Sequence, residues 1–187
     1  GRVLMYGGGD ANAWLGPFIN DVWAFSMSAG TWQQLWQWDG VGSGPDARIY
    51  PEMVDDPTNG RVIMFAGHDD TAVGNRNDVW SFDAGTGQWT SLRPGDTGAG
   101  VGCSSFCTCP PNFVDVDMES PERRGYHTLL AIPGEDRAIL FGGKSDCGYL
   151  DDTWSLSLQD ASWTEIEPAG QGEACKRSGQ EGCTDLC

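Results

Sequence analysis

The residues of this chain that could carry chemistry fall into three groups. His68, Asp69 and Asp70 are consecutive, with Arg76 close behind, and could hold a metal or act as an acid–base set. Their spacing fixes no ligand geometry, and Asp is an ordinary turn former, so a structural turn is the plainer expectation. Trp14, Phe18, Trp36, Trp38 and Tyr149 stand outside the long apolar runs. Aromatics so placed can stack on sugar rings or anchor a protein partner, and they can equally pack over the edge of a sheet. The third group is cysteine: Cys103, Cys107, Cys109, Cys147, Cys175, Cys183 and Cys187.

All seven cysteines lie in glycine-rich and polar stretches, whereas buried free thiols would sit in the core runs. Three residues separate Cys103 from Cys107 and one separates Cys107 from Cys109, so the two-residue spacing of a zinc knuckle is missing. Disulfides in an oxidising compartment fit better, which points to a secreted, extracellular or lumenal setting. An odd count leaves one thiol free or paired outside this chain. No Gly-x-Ser-x-Gly, phosphate loop or His-Glu-x-x-His is present, so no catalytic residue, metal or cofactor is expected from motifs.

Composition narrows the partners. The 27 acidic residues outweigh 11 Lys and Arg for a net charge of −16, which disfavours nucleic acid, since phosphate binding needs a basic stripe. No apolar run reaches the roughly 18 residues that would span a membrane. The chain opens on the strand-like Gly1-Arg2-Val3-Leu4-Met5-Tyr6, which reads as a piece of a longer or processed protein.

The elements that position these groups repeat. The apolar runs Val3–Gly8, Val62–Gly67 and Ala138–Gly143 each end in a small pair, Gly-Gly or Ala-Gly. Each is followed by Asn20-Asp21-Val22-Trp23, Asn77-Asp78-Val79-Trp80 or Asp151-Asp152-Thr153-Trp154, and a second Trp follows nine residues on, at Trp32, Trp89 and Trp163. Before the second and third copies, Pro45–Tyr50 aligns with Pro121–Tyr126, matching Arg48 to Arg124 and Tyr50 to Tyr126. Fixed spacing within a unit and variable spacing between units mean a conserved core with elastic loops. Each unit reads as four short strands: A around the Tyr, B the apolar run over 2–6, 62–65 or 138–141, C bearing the first Trp, and D bearing the second. The first unit lacks its A strand.

These motifs resemble the kelch repeat, over nearly the whole chain. The resemblance implies an all-β propeller fragment, about three four-stranded blades of an incomplete ring. Blade one spans about 1–36, blade two 46–93 and blade three 122–167, with cysteine-rich insertions at 103–109 and 175–187 in the blade-to-blade connections. A further blade is expected beyond Cys187.

Alternating strand direction then puts the B–C loops and D–A connections on one face, where the family usually meets its ligands. Trp14, Phe18, His68, Asp69, Asp70, Arg76, Cys147 and Tyr149 are expected in B–C loops, and Trp36 and Trp38 in a D–A connection. Cys147 should bridge to Cys103, Cys107 or Cys109. His127 is expected to hydrogen-bond in the interior. Glu119, Arg123 and His127 share the spacing of an iron site in some kelch proteins, but the cation at the middle position argues against it. A galactose-oxidase-like copper site needs His and Tyr in an arrangement not recognisable here. The function expected is a secreted or lumenal binding or scaffold module for a protein or glycan. The alternatives are a fragment of a secreted kelch enzyme, or a subunit of an extracellular filament or assembly.

Overall fold

A computed structural model describes residues 1–9, 17–38, 44–69, 74–95, 120–145 and 148–166, and the backbone of 177–178. Among these the chain is all β, in three antiparallel sheets that follow one another along the sequence. The first contains β1 (Arg2–Gly9), β2 (Phe18–Ser26) and β3 (Thr31–Trp36). In the second, β4 (Arg48–Ile49) and β5 (Glu52–Asp56) share one edge of β6 (Arg61–Asp69), which pairs with β7 (Asn75–Asp83) and then β8 (Gln88–Arg93). The third runs β9 (Thr128–Ala131), β10 (Arg137–Ser145), β11 (Gly148–Ser157) and β12 (Trp163–Glu165), with β13 (Arg177–Ser178) added along β11. These are the blades of a kelch-type propeller.

The small pair ending each B strand is a β-bulge. Register slips between Tyr6 and Gly8, Phe65 and Gly67, and Phe141 and Gly143. Both members of each pair take positive φ: 63° and 108° at Gly7-Gly8, 57° and 101° at Ala66-Gly67, 57° and 117° at Gly142-Gly143. The first position tolerates Ala66 because φ near 57° is the left-handed helical region; the second is glycine territory. Beyond the bulge the ladder resumes, with His68 opposite Asn75 and Lys144 opposite Tyr149. The hairpins are therefore longer than the repeat pattern suggests.

Gly67 also lacks room for a side chain. A Cβ there would lie 2.9 Å from Pro51 N and 3.0 Å from Ile49 O. Gly67→Ala should lower stability by about 1–3 kcal/mol from backbone strain alone; an unchanged urea midpoint would count against this account of the bulge.

The core lies between the sheets. Met64, Phe82 and Trp89 of the second sheet pack on Tyr6 and Val22 of the first. Ile63, Phe65 and Val79, from the other face of the second sheet, pack with Leu129, Leu140, Leu156 and Trp163 of the third. The B strand of the middle blade is buried on both sides, which is why its apolar run is continuous. The D-strand Trp of the second and third blades wedges against the B-strand aromatic of the preceding one: Trp89 on Tyr6 with ring centroids 5.4 Å apart, and Trp163 on Phe65 at 4.8 Å.

A buried polar unit repeats with the blades. Arg48 is wholly buried and grips Asp78 through both terminal nitrogens at 2.6 and 3.0 Å, donating also to the carbonyls of Ala66 (3.0 Å) and Asp46 (3.0 Å). Arg124 repeats this with Asp152 at 2.5 and 2.7 Å and the carbonyls of Gly142 and Glu122, each at 2.9 Å. The same aspartates accept from the indoles of Trp80 at 2.7 Å and Trp154 at 2.8 Å. Asp and Trp thus stand two apart in every C strand because one side chain bonds the other.

Candidate functional site

The A strands are not continuous. Tyr50 and Tyr126 sit at φ 58° and 57° and interrupt them, separating β4 from β5 and Gly125 from β9. Left-handed geometry at a bulky residue is strained, and such strain persists where the surroundings over-determine it. Each follows the anchored arginine by two residues, so the Arg–Asp unit fixes its position. The two rings stack, with centroids 3.9 Å apart and planes 28° from parallel. Tyr126 remains about half exposed.

The hairpin ends beyond the bulges close around this pair. Phe18 comes from blade one, His68 and Asn75 from blade two, and Lys144 and Ser145 from blade three. With Ile49, Tyr50 and Tyr126 they line an open cleft of about 300 Å³ shared by all three blades. His68 Nδ1 lies 3.3 Å from Asn75 Oδ1, and Phe18 meets the imidazole edge-on at 6.3 Å. Lys144 brings positive charge into an otherwise acidic molecule, its Nζ 5.9 Å from the centre of the exposed Tyr149 ring. Partial desolvation, then the neighbouring Tyr50, pushes the Tyr126 hydroxyl up to about 12. Flat aromatic surface, a cation and amide, hydroxyl and imidazole groups together offer both stacking and polar contacts.

Phe18 and His68 are the sequence candidates that line this cleft, and both stand at strand ends rather than in a loop. Asp69 and Arg76, also expected in a loop, are in β6 and β7 and are held in an ion-paired chain that runs on from Arg76 to Asp46 at 2.9 Å. Arg76 also accepts, through its carbonyl, the backbone N–H of Arg124 at 3.0 Å, fastening blade two to blade three. Tyr149 lies in β11. Trp36 ends β3 and packs edge-on against Trp89 at 6.3 Å, between blades one and two, while Trp38 is about half exposed.

Trp14, Asp70, Glu119 and all seven cysteines, with the bridge expected at Cys147, lie outside the described residues. Among the described residues no His, Cys, Asp and Glu group could hold a metal ion. His127 is a correction. It is buried, but neither ring nitrogen has a hydrogen-bond partner among the described residues; its ring stands edge-on to Phe65 at 5.2 Å. An interior position next to the Arg124 cation leaves the imidazole apolar contacts instead. Tyr50, Tyr126, Asn75 and Lys144 were missed by sequence reasoning. The repeated Arg-x-Tyr was visible, but it gave no sign that the rings of adjacent blades would meet.

Comparison with known proteins places the geometry in context. The family model for the KLHDC2/KLHL20/DRC7 Kelch-repeats domain matches residues 1–185. Tip elongation aberrant protein 3 of Schizosaccharomyces pombe is 32% identical over 56 residues, which make up 30% of this chain and 5% of that protein. The chain therefore spans a small fraction of that relative's length.

Proposed function

We propose, from the premise that this chain belongs to the kelch-repeat family, that it is a protein-binding propeller module whose ligand seats on the Tyr50–Tyr126 cleft. The observation that carries this reading is the stacked, strained tyrosine pair, held in place by two buried arginines and ringed by hairpin ends from three blades. Rigid aromatics over a fixed polar framework make interface anchors, because little side-chain freedom is lost on binding. Lys144 favours a ligand with a carboxylate or an acidic side chain at that edge of the cleft. A glycan is the second reading, favoured by the half-exposed Tyr126 ring on which a sugar could stack.

No helix among the described residues is long and apolar enough to cross a membrane. The confinement of cysteine to polar connections supports a secreted or lumenal setting. It also supports a place in a larger extracellular assembly, with the connections linking neighbours.

Peptides selected from a displayed random library, and a glycan array, test the reading. Asn tolerates the left-handed region, so Tyr50→Asn with Tyr126→Asn should keep the fold and its thermal midpoint. Binding of a selected ligand should weaken by about 2 kcal/mol or more, as for loss of interface anchors. Ligands that bind the double variant as tightly as the parent chain would place recognition elsewhere.

A further inference from the structure

The stacked tyrosines hold chemistry that ligand binding does not use. Their rings come from neighbouring blades, lie 3.9 Å apart between centroids and stand 28° from parallel. The spacing is imposed from both sides, since each tyrosine follows a wholly buried arginine by two residues and sits at a left-handed φ, 58° and 57°. The Tyr126 hydroxyl bonds to Tyr50, so the two phenolic ends lie together. Both rings also reach solvent, Tyr50 being 36% and Tyr126 52% exposed. The chain has four tyrosines. Of the other two, Tyr6 is buried against Trp89, and Tyr149, beside Lys144, is the most exposed of all four at 63%.

We infer that Tyr50 and Tyr126 form an oxidative cross-linking site, joined as a dityrosine by a one-electron oxidant of the peroxidase class acting with hydrogen peroxide. Each phenol gives one electron to the oxidant and its hydroxyl proton to water, leaving a phenoxyl radical with spin on the oxygen and on the ortho and para carbons. The para carbon carries the Cβ, so an ortho carbon of one ring bonds to an ortho carbon of the other. The hydrogen on each bonded carbon then passes to that ring's oxygen, restoring both phenols. Two electrons and two protons leave the pair, one C–C bond replaces two C–H bonds, and the peroxide is reduced to two waters. A tyrosyl radical in solution must wait for a diffusing partner, whereas a ring already in contact makes the coupling intramolecular and raises its effective concentration. Exposure alone selects Tyr149; contact selects the stacked pair. The open cleft beside the rings leaves them space to tilt from the stack into the bonded geometry. The bond runs between blade two and blade three, and its formation does not depend on what the cleft binds.

The test treats the folded chain, kept dilute, with a purified peroxidase and limiting hydrogen peroxide, then separates the products by size and digests them with trypsin. Trypsin releases Tyr50 within residues 49–61 and Tyr126 within residues 125–137, and neither peptide contains cysteine. The expected product is a single chain with dityrosine fluorescence, in which these two peptides are joined and are two hydrogens lighter than their sum. Tyr50→Phe keeps the ring and should abolish the joined peptide, whereas Tyr149→Phe should leave its yield unchanged. The same treatment in urea should also abolish it, because the contact exists only in the fold. The inference is overturned if no dityrosine forms, if it mainly joins separate chains, or if it joins Tyr126 to Tyr149 or Tyr6 instead. It is equally overturned if the Tyr50–Tyr126 link forms as readily in urea.

Discussion

Replacing Arg124 with Ala should destabilise the chain by about 3–5 kcal/mol, the range for breaking a buried ion pair from one side. The loss has two parts. The guanidinium gives up its bidentate grip on Asp152 and its bonds to the Gly142 and Glu122 carbonyls. The Asp152 carboxylate is then left charged in a nearly water-free site without its guanidinium partner, though still bonded to the Trp154 indole. The second part is the larger, since an unpaired buried charge loses its solvation without compensation. Arg124→Ala combined with Asp152→Ala should therefore be more stable than the sum of the two single losses implies. Arg124→Lys should fall between the parent and Arg124→Ala, because an ammonium cannot span both carboxylate oxygens. Urea unfolding of the parent chain and the four variants measures these differences. A loss below about 1 kcal/mol for Arg124→Ala would show that the clamp positions the tyrosines without holding the fold together.

Acidification should weaken the fold well before the carboxylates titrate, and His127 should be the cause. Burial, reinforced by the nearby Arg124 charge, depresses its imidazole from 6.5 to about 3. Between those values the unfolded chain takes up a proton that the folded chain refuses. The stability is therefore fully present above about pH 6.5 and is lost as pH falls toward 3. Between pH 6.5 and about 4.5 the loss should be on the order of 2 kcal/mol, given about 1.4 kcal/mol per unit at full linkage. Glu52 acts with the opposite sign, since burial raises its carboxyl and favours its protonated form in the fold. Asp136 and Asp160, held low by hydrogen bonds, lose their contribution only at more acid pH. His127→Leu keeps the contact with Phe65 and removes the titrating group. It should flatten stability against pH over this window; a slope that survives the substitution would assign the acid response to other groups.

The regular part of the molecule was legible in the sequence because it is written in spacing. The Gly pair, the Asp and Trp two apart, and the second Trp nine residues on recur, and each marks a backbone or side-chain requirement of one blade. What spacing could not show is how one blade meets the next. Phe18 and His68 looked like loop residues because a bulge after Tyr6 and Phe65 hides the resumption of pairing. Arg76 and Asp69 looked like free chemistry, yet they are joined to each other and Arg76 reaches on to Asp46. The Tyr50–Tyr126 contact depends on the pitch between neighbouring sheets and on two left-handed residues that no propensity favours. His127 shows the converse limit, since its interior position was readable but the lack of a hydrogen-bond partner among the described residues was not.

The placement of the apolar core between sheets has a thermodynamic consequence. Stability here belongs to junctions, so the chain behaves as a short one-dimensional lattice in which nearest neighbours supply the coupling. Among the described residues the middle blade takes part in both junctions, through Met64 and Trp89 on one side and Ile63 and Phe65 on the other, while each flanking blade takes part in one. Loosening the middle blade uncouples both outer blades at once, whereas loosening an outer blade leaves a two-blade unit. The exposed Trp32 and Phe141 occupy the positions that Trp89 and Tyr6, and Trp163 and Phe65, fill inside the array. Among the described residues the two outer sheets thus present unlike faces that match one another, and the coupling between blades would extend through any sheet that packs on either.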